Sequence, residues 1–224
     1  MKLYTFLAST TCRPVMFFAA DAGIKLDYEM IDLMSGAQFN PDFAKVNPNN
    51  CVPVLEDGSF RLTESSAILK YLADSVNSPA YPKGLKERAR VNAMMDWFNT
   101  GLYAAYGYWM TYPQVLDHLK LPDEKANKLV IEAGKTHAEK YLAVLEGKLA
   151  ASKEPYVCGN EITIADYFGY GILSVGELVG CTLEAYPNIR KWYDRMQTRP
   201  NWQSTNGALS QWASAMKGQT FVHI

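Results

Sequence analysis

The sequence predicts a small α/β domain followed by an all-helical domain. Short apolar runs typical of strands occur only before residue 63, and helical runs alternate with them. Residues 77–84 then combine Asn and Ser with two prolines and a glycine, which is the composition of a linker. Beyond the linker, apolar residues recur with helical spacing. We therefore divide the chain into a first domain at 1–76, a linker at 77–84 and a helical domain at 85–224.

The composition is that of an ordinary soluble globular protein. The chain has 224 residues, a hydrophobic content of 48% and a formal net charge of -1. Because neutralising phosphates requires a basic face, this balance argues against a nucleic acid partner. The four cysteines show no C-x-x-C spacing and we find no secretory leader, so we expect reduced thiols in a cytoplasmic protein. The three histidines form no ligand pair, and no metal site is expected.

An uncharged run at 97–116 has about the length that a membrane-spanning helix needs. It also contains four tyrosines and polar residues such as Asn99 and Gln114. Such a run is too polar for hydrocarbon. It predicts instead a long helix buried within the protein, and no membrane partner.

The first domain begins with a strand, a helix and a second strand, predicted at 2–7, 15–22 and 26–31. Gly23 ends the helix, and Pro14 lies near its start, where proline is favoured. A polar connection follows the second strand and leads to a predicted hairpin.

The hairpin has strands at 54–56 and 60–62, with Asp57-Gly58 as its turn. Thr63 or Glu64-Ser65 then opens a helix whose apolar residues recur at helical spacing. The order of strand, helix, strand, hairpin and helix is thioredoxin-like, with a right-handed crossover between the parallel strands.

Two features of this unit suit an anionic, peptide-like ligand. The helix N-terminus at Ser65 presents free N–H groups to an anion. Pro53 precedes the hairpin, where a missing backbone donor is tolerated and a cis peptide bond is compatible with the turn. The strand edge beside Pro53 presents N–H and C=O groups to a peptide.

The helical domain is predicted to contain five helices. The first covers 85–112 and is expected to stop at Pro113. The others cover 123–152, 167–179 and two further stretches that begin near Pro187 and Trp202. Thr163 and Asp166 have the spacing of a capping box, so we expect Asp166 to be a buried structural cap.

The segment Val52-Pro53-Val54-Leu55, followed by Leu-Thr-Glu-Ser-Ser-Ala-Ile-Leu-Lys-Tyr-Leu at 62–72, resembles the glutathione-binding half of the glutathione transferase superfamily. In that family the cis-proline edge pairs with the cysteinyl backbone of glutathione, and a Glu-Ser pair holds its γ-glutamyl end. The resemblance implies these roles for Val52, Pro53, Glu64 and Ser65. It covers nearly the whole chain and implies the glutathione transferase fold.

Within the superfamily, the chain is similar to the theta class. Segments 31–33, 43–44 and 46–48 match that class in order without gaps. Gln38 lies where theta enzymes place a polar or basic side chain on the glycyl carboxylate of glutathione. Asn50 and Cys51, the second of which we count in the glutathione site, stand where theta enzymes often carry lysine. We therefore expect weaker glutathione binding.

Glutathione is a nucleophile only as its thiolate. Lowering the thiol pKa from near 8.5 by about two units requires roughly 2.7 kcal/mol of preference for the anion. A hydroxyl that donates to the sulfur contributes about 1.5–3 kcal/mol, and a helix N-terminus adds roughly 0.3–1 kcal/mol. The loop at 9–14 offers both, because it ends where the first helix begins.

Three residues of this loop are candidates for contact with the sulfur. Similarity to the theta class places Ser9 on its catalytic serine and Arg13 on the neighbouring arginine, so we predict these two as catalytic. Similarity to the bacterial beta class places Thr10 on that class's cysteine. Cys12 would bring different chemistry, a mixed disulfide, but we favour the interpretation that it is a small apolar residue in the first helical turn.

The electrophile is expected to bind against the long helix that follows the linker. Tyr103 and Tyr106 are one turn apart and share a face, and Trp109 is within a turn of Tyr106. Trp212 of the last helix is a further candidate for covering the sulfur. We expect most aromatic residues of the long helix to belong to the core or to a dimer interface, and one or two of them to cover the sulfur.

The resemblance implies a cytoplasmic glutathione transferase with a role in detoxification. It would use glutathione as co-substrate, with no metal, and take a small hydrophobic electrophile. The alternatives within the superfamily are a glutathione-dependent dehalogenase, lyase or isomerase, and a thiol–disulfide reductase that uses Cys12. An alternative of another class is a non-catalytic interaction or regulatory protein of this fold.

A homodimer is also expected. The family pairs through the long helix and through the helix at 64–71. The helical half carries more apolar residues than one small bundle needs, including Met94, Met95, Trp97 and Phe98.

Overall fold

The structure is a computed structural model that describes residues 1–224. Its first domain contains a four-stranded mixed sheet. The strands are β1 (Lys2–Thr5), β2 (Asp27–Met30), β3 (Val54–Asp57) and β4 (Phe60–Leu62), in the order β2-β1-β3-β4. β1 is parallel to β2 and antiparallel to β3, and β3 and β4 form the hairpin. The predicted thioredoxin-like order is therefore confirmed.

Three α-helices belong to this domain. They are α1 (Cys12–Asp21), α2 (Pro41–Ala44) and α3 (Ser65–Ser75), and a 3-10 turn at Ala37–Phe39 precedes α2. Helix α1 begins earlier than predicted, because the Arg13 N–H already donates to the Ser9 carbonyl at 3.1 Å. Buried apolar residues of α1 and α3, such as Phe18 and Leu69, form the core beside the sheet.

The second domain is all-helical. Its α-helices are α4 (Leu85–Asp96), α5 (Tyr112–Val115), α6 (Glu124–Ser152), α7 (Ile164–Ser174), α8 (Pro187–Gln197) and α9 (Trp202–Ala215), with 3-10 turns at Asp117–Leu119 and Val175–Val179. None of the helices combines the length and the apolar character that crossing a membrane requires.

Helices α4 and α5 are parts of one long helix. They are joined by two π-helical segments, Trp97–Leu102 and Ala104–Thr111. The expectation that Pro113 ends this helix is wrong. Pro113 lies within this long helix, directly after the second π-helical segment, and the chain remains helical to Val115.

The capping box at the start of α7 is confirmed. The carboxylate of Asp166 is fully buried and accepts hydrogen bonds from the Thr163 N–H at 2.7 Å, the Val157 N–H at 2.9 Å and Trp192 Nε1 at 2.9 Å. These donors tie α7 to α8 and to the loop before α7. Asp166 is therefore a structural residue of the helical domain.

Helix α1 joins the two domains into one body. Its Arg13 guanidinium is fully buried and donates to Ser174 Oγ at 2.7 Å, to Asn206 Oδ1 at 3.0 Å and to the Gly171 carbonyl at 3.3 Å. Gly171 allows α7 to approach α1 closely, because an added Cβ would collide with the ring of Pro14. The loop before α1 is thus held against the helical domain.

Candidate active site

Two adjoining cavities open between the two domains. The first, which we call the peptide groove, has a volume of about 400 Å³ and lies between the loop before β3, the start of α3 and the long helix. The second, which we call the apolar cavity, has a volume of about 350 Å³ and lies between the loop before α1, the end of the long helix and α9. Both are lined by Thr11, Asn49, Cys51, Val52, Tyr103 and Tyr108. Ligands in the two cavities would therefore touch.

One end of the peptide groove is the N-terminus of α3. The first hydrogen bond within this helix runs from the Ile68 N–H to the Glu64 carbonyl at 2.9 Å, so the earlier N–H groups of the turn remain free. Ser65 is buried, and its hydroxyl makes no hydrogen bond within the protein. The exposed Glu64 has a φ of 64°, a strained conformation for a non-glycine residue that is enriched at binding sites. Together, Ser65 and Glu64 match the carboxylate and the ammonium of an amino acid.

The side of the groove is the chain segment before β3. Val52 and Pro53 are joined by a cis peptide bond. The Val52 carbonyl accepts a hydrogen bond from the Thr11 hydroxyl at 3.0 Å, whereas the Val52 N–H makes no hydrogen bond within the protein. The position of Cys51, the residue before Val52, is fixed by Asn47, whose Nδ2 donates to the Cys51 carbonyl at 2.7 Å. The Val52 N–H is therefore free to bind the carbonyl of a peptide.

Ser9 lies at the wall of the apolar cavity, in the loop before α1. Its Oγ accepts a hydrogen bond from the Cys12 N–H at 3.3 Å and lies 3.2 Å from Thr11 Oγ1. Because Thr11 donates its own proton to the Val52 carbonyl, Ser9 is the donor of the long Ser9–Thr11 contact. The Ser9 hydroxyl is thus weakly engaged, half-buried and next to the positive end of α1.

Of the other three residues predicted in this loop region, Thr10 lines the apolar cavity, whereas Cys12 and Arg13 line neither cavity. Cys12 is fully buried, and burial raises the pKa of its thiol. The Arg13 guanidinium points into the helical domain, where it binds α7 and α9. The sequence predicts a catalytic role for Arg13, but the structure places its side chain away from both cavities.

Gln38 lies at the edge of the apolar cavity and is 6% exposed. Its Oε1 has no hydrogen-bond partner within the protein. A buried polar group without a partner costs free energy that a bound ligand can restore. Neither cavity is lined by a lysine or an arginine.

The aromatic face of the long helix differs from the one that the sequence predicts. Hydrogen bonds in a π-helix run between residues five apart, so such residues lie above one another. The rings of Tyr103 and Tyr108 have centroids 5.0 Å apart, and Tyr112 follows at 5.3 Å from Tyr108. These three tyrosines line the apolar cavity together with Trp212 of α9.

Tyr106 and Trp109, which we predicted to cover the sulfur, line neither cavity. Tyr106 is fully buried in the helical core, with its hydroxyl directed toward Gly176. Trp109 is 43% exposed and packs against His137, with ring centroids 5.6 Å apart. The prediction assumed α-helical spacing, and the π-helical winding instead turns Tyr108 and Tyr112 toward the site.

The comparisons with known proteins identify the family of the chain. Residues 1–74 match the model for the glutathione S-transferase N-terminal domain, and residues 108–200 match that for the glutathione S-transferase C-terminal domain. The chain is 34% identical to glutathione S-transferase theta-3 of Mus musculus and 31% identical to glutathione S-transferase theta-2B of Homo sapiens. Each alignment covers 88% of this chain, and they cover 82% and 80% of the two relatives, respectively.

Solved structures share the whole architecture. A delta-class glutathione transferase of Nilaparvata lugens superposes with a TM-score of 0.79 at 32% identity, covering 96% of this chain and 99% of that one. Human glutathione S-transferase T1-1 in its apo form gives a TM-score of 0.81 at 28% identity, covering 95% and 90%.

A thioredoxin-like domain followed by an all-helical domain, with two adjoining cavities between them, is the architecture of a glutathione transferase. This chain belongs to the glutathione S-transferase family. The fold, the class of enzyme and the likeness to the theta class that the sequence predicts are thereby confirmed.

Proposed function

We propose that this protein activates glutathione as its thiolate between the two domains and transfers it to a small hydrophobic electrophile. The observation that carries this proposal is the junction of the two cavities at Cys51 and Val52, beside Ser9. Groups that suit a peptide line one side of this junction, and an apolar cavity opens on the other. A thiol held at the junction would meet an electrophile in the apolar cavity.

Glutathione would lie along the peptide groove. Its γ-glutamyl carboxylate would bind the Ser65 hydroxyl and the free N–H groups of α3, and its ammonium would bind Glu64. The Val52 N–H would donate to the cysteinyl carbonyl beside Pro53. The glycyl carboxylate would extend past Cys51 toward Gln38, whose side-chain NH2 group would be the donor to it. This end of the site offers no lysine or arginine.

Ser9 is the proposed catalytic residue. Its hydroxyl can turn from the 3.2 Å contact with Thr11 to donate to the sulfur, and the N-terminus of α1 adds a favourable field. The bond to the thiolate, at about 1.5–3 kcal/mol, is comparable with the roughly 2.7 kcal/mol that a shift of two pKa units requires. Arg13 holds the start of α1 in place rather than contacting the thiolate.

The electrophile is proposed to be hydrophobic and small. The apolar cavity of about 350 Å³ is the size of a small-molecule site, and its lining is mostly apolar. The side chains that would contact an electrophile come from both domains: Phe6, Leu33, Met34, Phe39, Tyr108, Tyr112, Leu116, Leu119 and Trp212. Halide displacement, addition and isomerisation would all use the same thiolate. A disulfide reductase that uses Cys12 has no support in the geometry, because Cys12 is buried outside both cavities.

We also propose a cytoplasmic homodimer. Met95 and Phe98, which were counted among the apolar residues in excess of a small bundle, are buried in the protein's own core and do not support a dimer. Met94 is also largely buried, but it lines the groove described next. The support comes instead from an apolar groove of about 430 Å³ between α4 and α6, lined by residues that include Trp97 and Val144. All four cysteines are free thiols, which suits a reducing compartment.

The test is a pH titration of the thiolate absorbance of glutathione bound to the protein. Ser9→Ala should raise the pKa of the bound thiol by about one unit or more, and turnover of an aryl or alkyl halide should fall about tenfold. Cys12→Ala is the matched control and should leave both unchanged. A Ser9→Ala variant that titrates as the wild type would remove Ser9 from the catalytic role, and a protein that binds no glutathione would refute the function.

A further inference from the structure

Three hydroxyl groups form a buried chain between the long helix and the loop before α1. The Tyr103 and Tyr112 hydroxyls lie 2.6 Å apart, and the Tyr112 hydroxyl donates to Thr10 Oγ1 at 2.8 Å. All three residues are buried, with exposures of 6%, 8% and 5% for Tyr103, Tyr112 and Thr10. Each of them also lines the apolar cavity.

The geometry fixes the direction of the protons in this chain. A tyrosine hydroxyl has one proton, and that of Tyr112 points to Thr10. Tyr103 must therefore donate in its contact with Tyr112. Burial raises the pKa of Tyr112 to about 12 and that of Tyr103 well above its ordinary value, so both are neutral donors at physiological pH.

Thr10 is the end of the chain. Its oxygen accepts from Tyr112, and its own hydroxyl proton has no acceptor within the protein. A buried hydroxyl in that state is a donor without a partner, which costs free energy unless a ligand accepts the bond. Thr10 follows Ser9 directly in the sequence and lines the same cavity. Hydrogen bonds in a chain polarise one another, so the donation from Tyr112 strengthens Thr10 as a donor.

We propose that Tyr112 is a positioning residue that fixes the Thr10 hydroxyl as a second donor to the glutathione thiolate. Tyr103 donates to Tyr112 and thereby strengthens Tyr112 as a donor to Thr10. This inference rests on the proposed function, since it assumes that the sulfur lies at the wall formed by Ser9 and Thr10. It assigns the two tyrosines a role in ionising the thiol that is separate from any contact with the electrophile.

The alternative is that these three hydroxyl groups only hold the loop before α1 against the long helix. The thiol pKa of bound glutathione distinguishes this structural role from the proposed one. Thr10→Val should raise that pKa by about one unit, as the loss of one bond to the anion implies, and Tyr112→Phe should raise it by about half as much. Turnover should fall at a pH below the shifted pKa and recover above it, where the thiolate forms without help. Thr10→Ser, which keeps the hydroxyl, should restore the wild-type titration.

A double-mutant cycle tests whether Tyr112 acts through Thr10. Adding Tyr112→Phe to Thr10→Val should cause no further pKa shift. Trp109→Phe, an aromatic change on the same helix outside both cavities, is the control and should shift nothing. Thermal melting of each variant identifies any loss of folding. If Tyr112→Phe does not fold, Tyr103→Phe, which lies farther from the loop, is titrated instead. It should raise the thiol pKa of bound glutathione by a smaller amount.

Two results would overturn the proposal. One is a Tyr112→Phe variant that melts lower than the wild type yet binds glutathione with an unchanged thiol pKa. The other is a Tyr112→Phe shift that persists in full in the Thr10→Val background. A normal Ser9→Ala shift beside either result would leave the proposed function standing and remove only the role of the hydroxyl chain.

Discussion

Arg13 of α1 donates to Asn206 of α9 at 3.0 Å, so the helix that follows the Ser9 loop is bonded to the last helix of the chain. The same guanidinium binds Ser174 of α7, and no solvent reaches it. The position of Ser9 relative to the apolar cavity therefore depends on a contact between the two domains.

Arg13→Ala should destabilise the protein by about 2–4 kcal/mol, because it leaves Asn206 Oδ1 without a donor and removes the buried donor to Ser174 Oγ. The pKa of bound glutathione should change by no more than a few tenths of a unit. Denaturant unfolding and thiolate titration measure the two effects. Arg61→Ala, on the exposed face of β4, is the control and should cost under about 1 kcal/mol. An Arg13→Ala variant of normal stability with a raised thiol pKa would instead make Arg13 a catalytic residue.

Ser65→Ala removes the hydroxyl at the N-terminus of α3 that we assign to the γ-glutamyl carboxylate. Glutathione binding should weaken by about 1.5–3 kcal/mol, the range for a hydrogen bond to a charged group. Calorimetric titration measures it. Ser66→Ala, in the same helical turn but outside the groove, should bind as the wild type does. Equal affinities for the two variants would contradict the assignment of Ser65.

The hairpin and the start of α3 could be predicted from the sequence because their determinants are local. Asp57-Gly58 predicts a tight turn; in the structure Asp57 is the last residue of β3 and pairs with Phe60, so the turn is one residue later, at Gly58-Ser59, with Gly58 at a φ of 60°. The residues around Ser65 predict a helix N-terminus, and α3 begins there. The role of Arg13 could not be predicted in this way, since its partners lie 161 and 193 residues away in the sequence.

The aromatic lining of the apolar cavity, formed by Tyr103, Tyr108, Tyr112 and Trp212, was predicted only in part, and the physical reason is different. Tyr103 and Trp212 lie where the sequence placed them, but the face of the long helix depends on its winding. π-helical hydrogen bonds arise from packing against the rest of the protein rather than from propensity. A periodicity of 3.6 residues therefore selects Tyr106, whereas the actual winding selects Tyr108 and Tyr112.

The proposed dimer can be tested by sedimentation at micromolar concentration. The wild type should sediment as a dimer, and Val144→Glu should produce a monomer, because it places a charge in the apolar groove between α4 and α6. Leu129→Glu is the matched control, since Leu129 is 62% exposed on the same helix but lies outside the groove. A wild-type monomer would refute the dimer, and equal effects of the two variants would place the interface elsewhere.

The absence of lysine and arginine from both cavities leads to a prediction of improved binding. Cys51 is exposed at the junction of the cavities, where a cation would face the carboxylates of glutathione. Cys51→Lys should tighten glutathione binding by about 0.2–1 kcal/mol, the range for an exposed charge pair. The gain should shrink as salt is raised from about 0.01 to 0.15 M, because screening shortens the range of the attraction.

Cys51→Gln separates the effect of charge from that of side-chain length. It adds a long polar side chain without a cation, so it should bind glutathione as the wild type does and show no added dependence on salt. Calorimetric titration of the three proteins at two salt concentrations makes the comparison. If Cys51→Lys and Cys51→Gln bind equally at low salt, neither carboxylate of glutathione lies near residue 51, and the proposed course of the peptide past Cys51 to Gln38 is wrong.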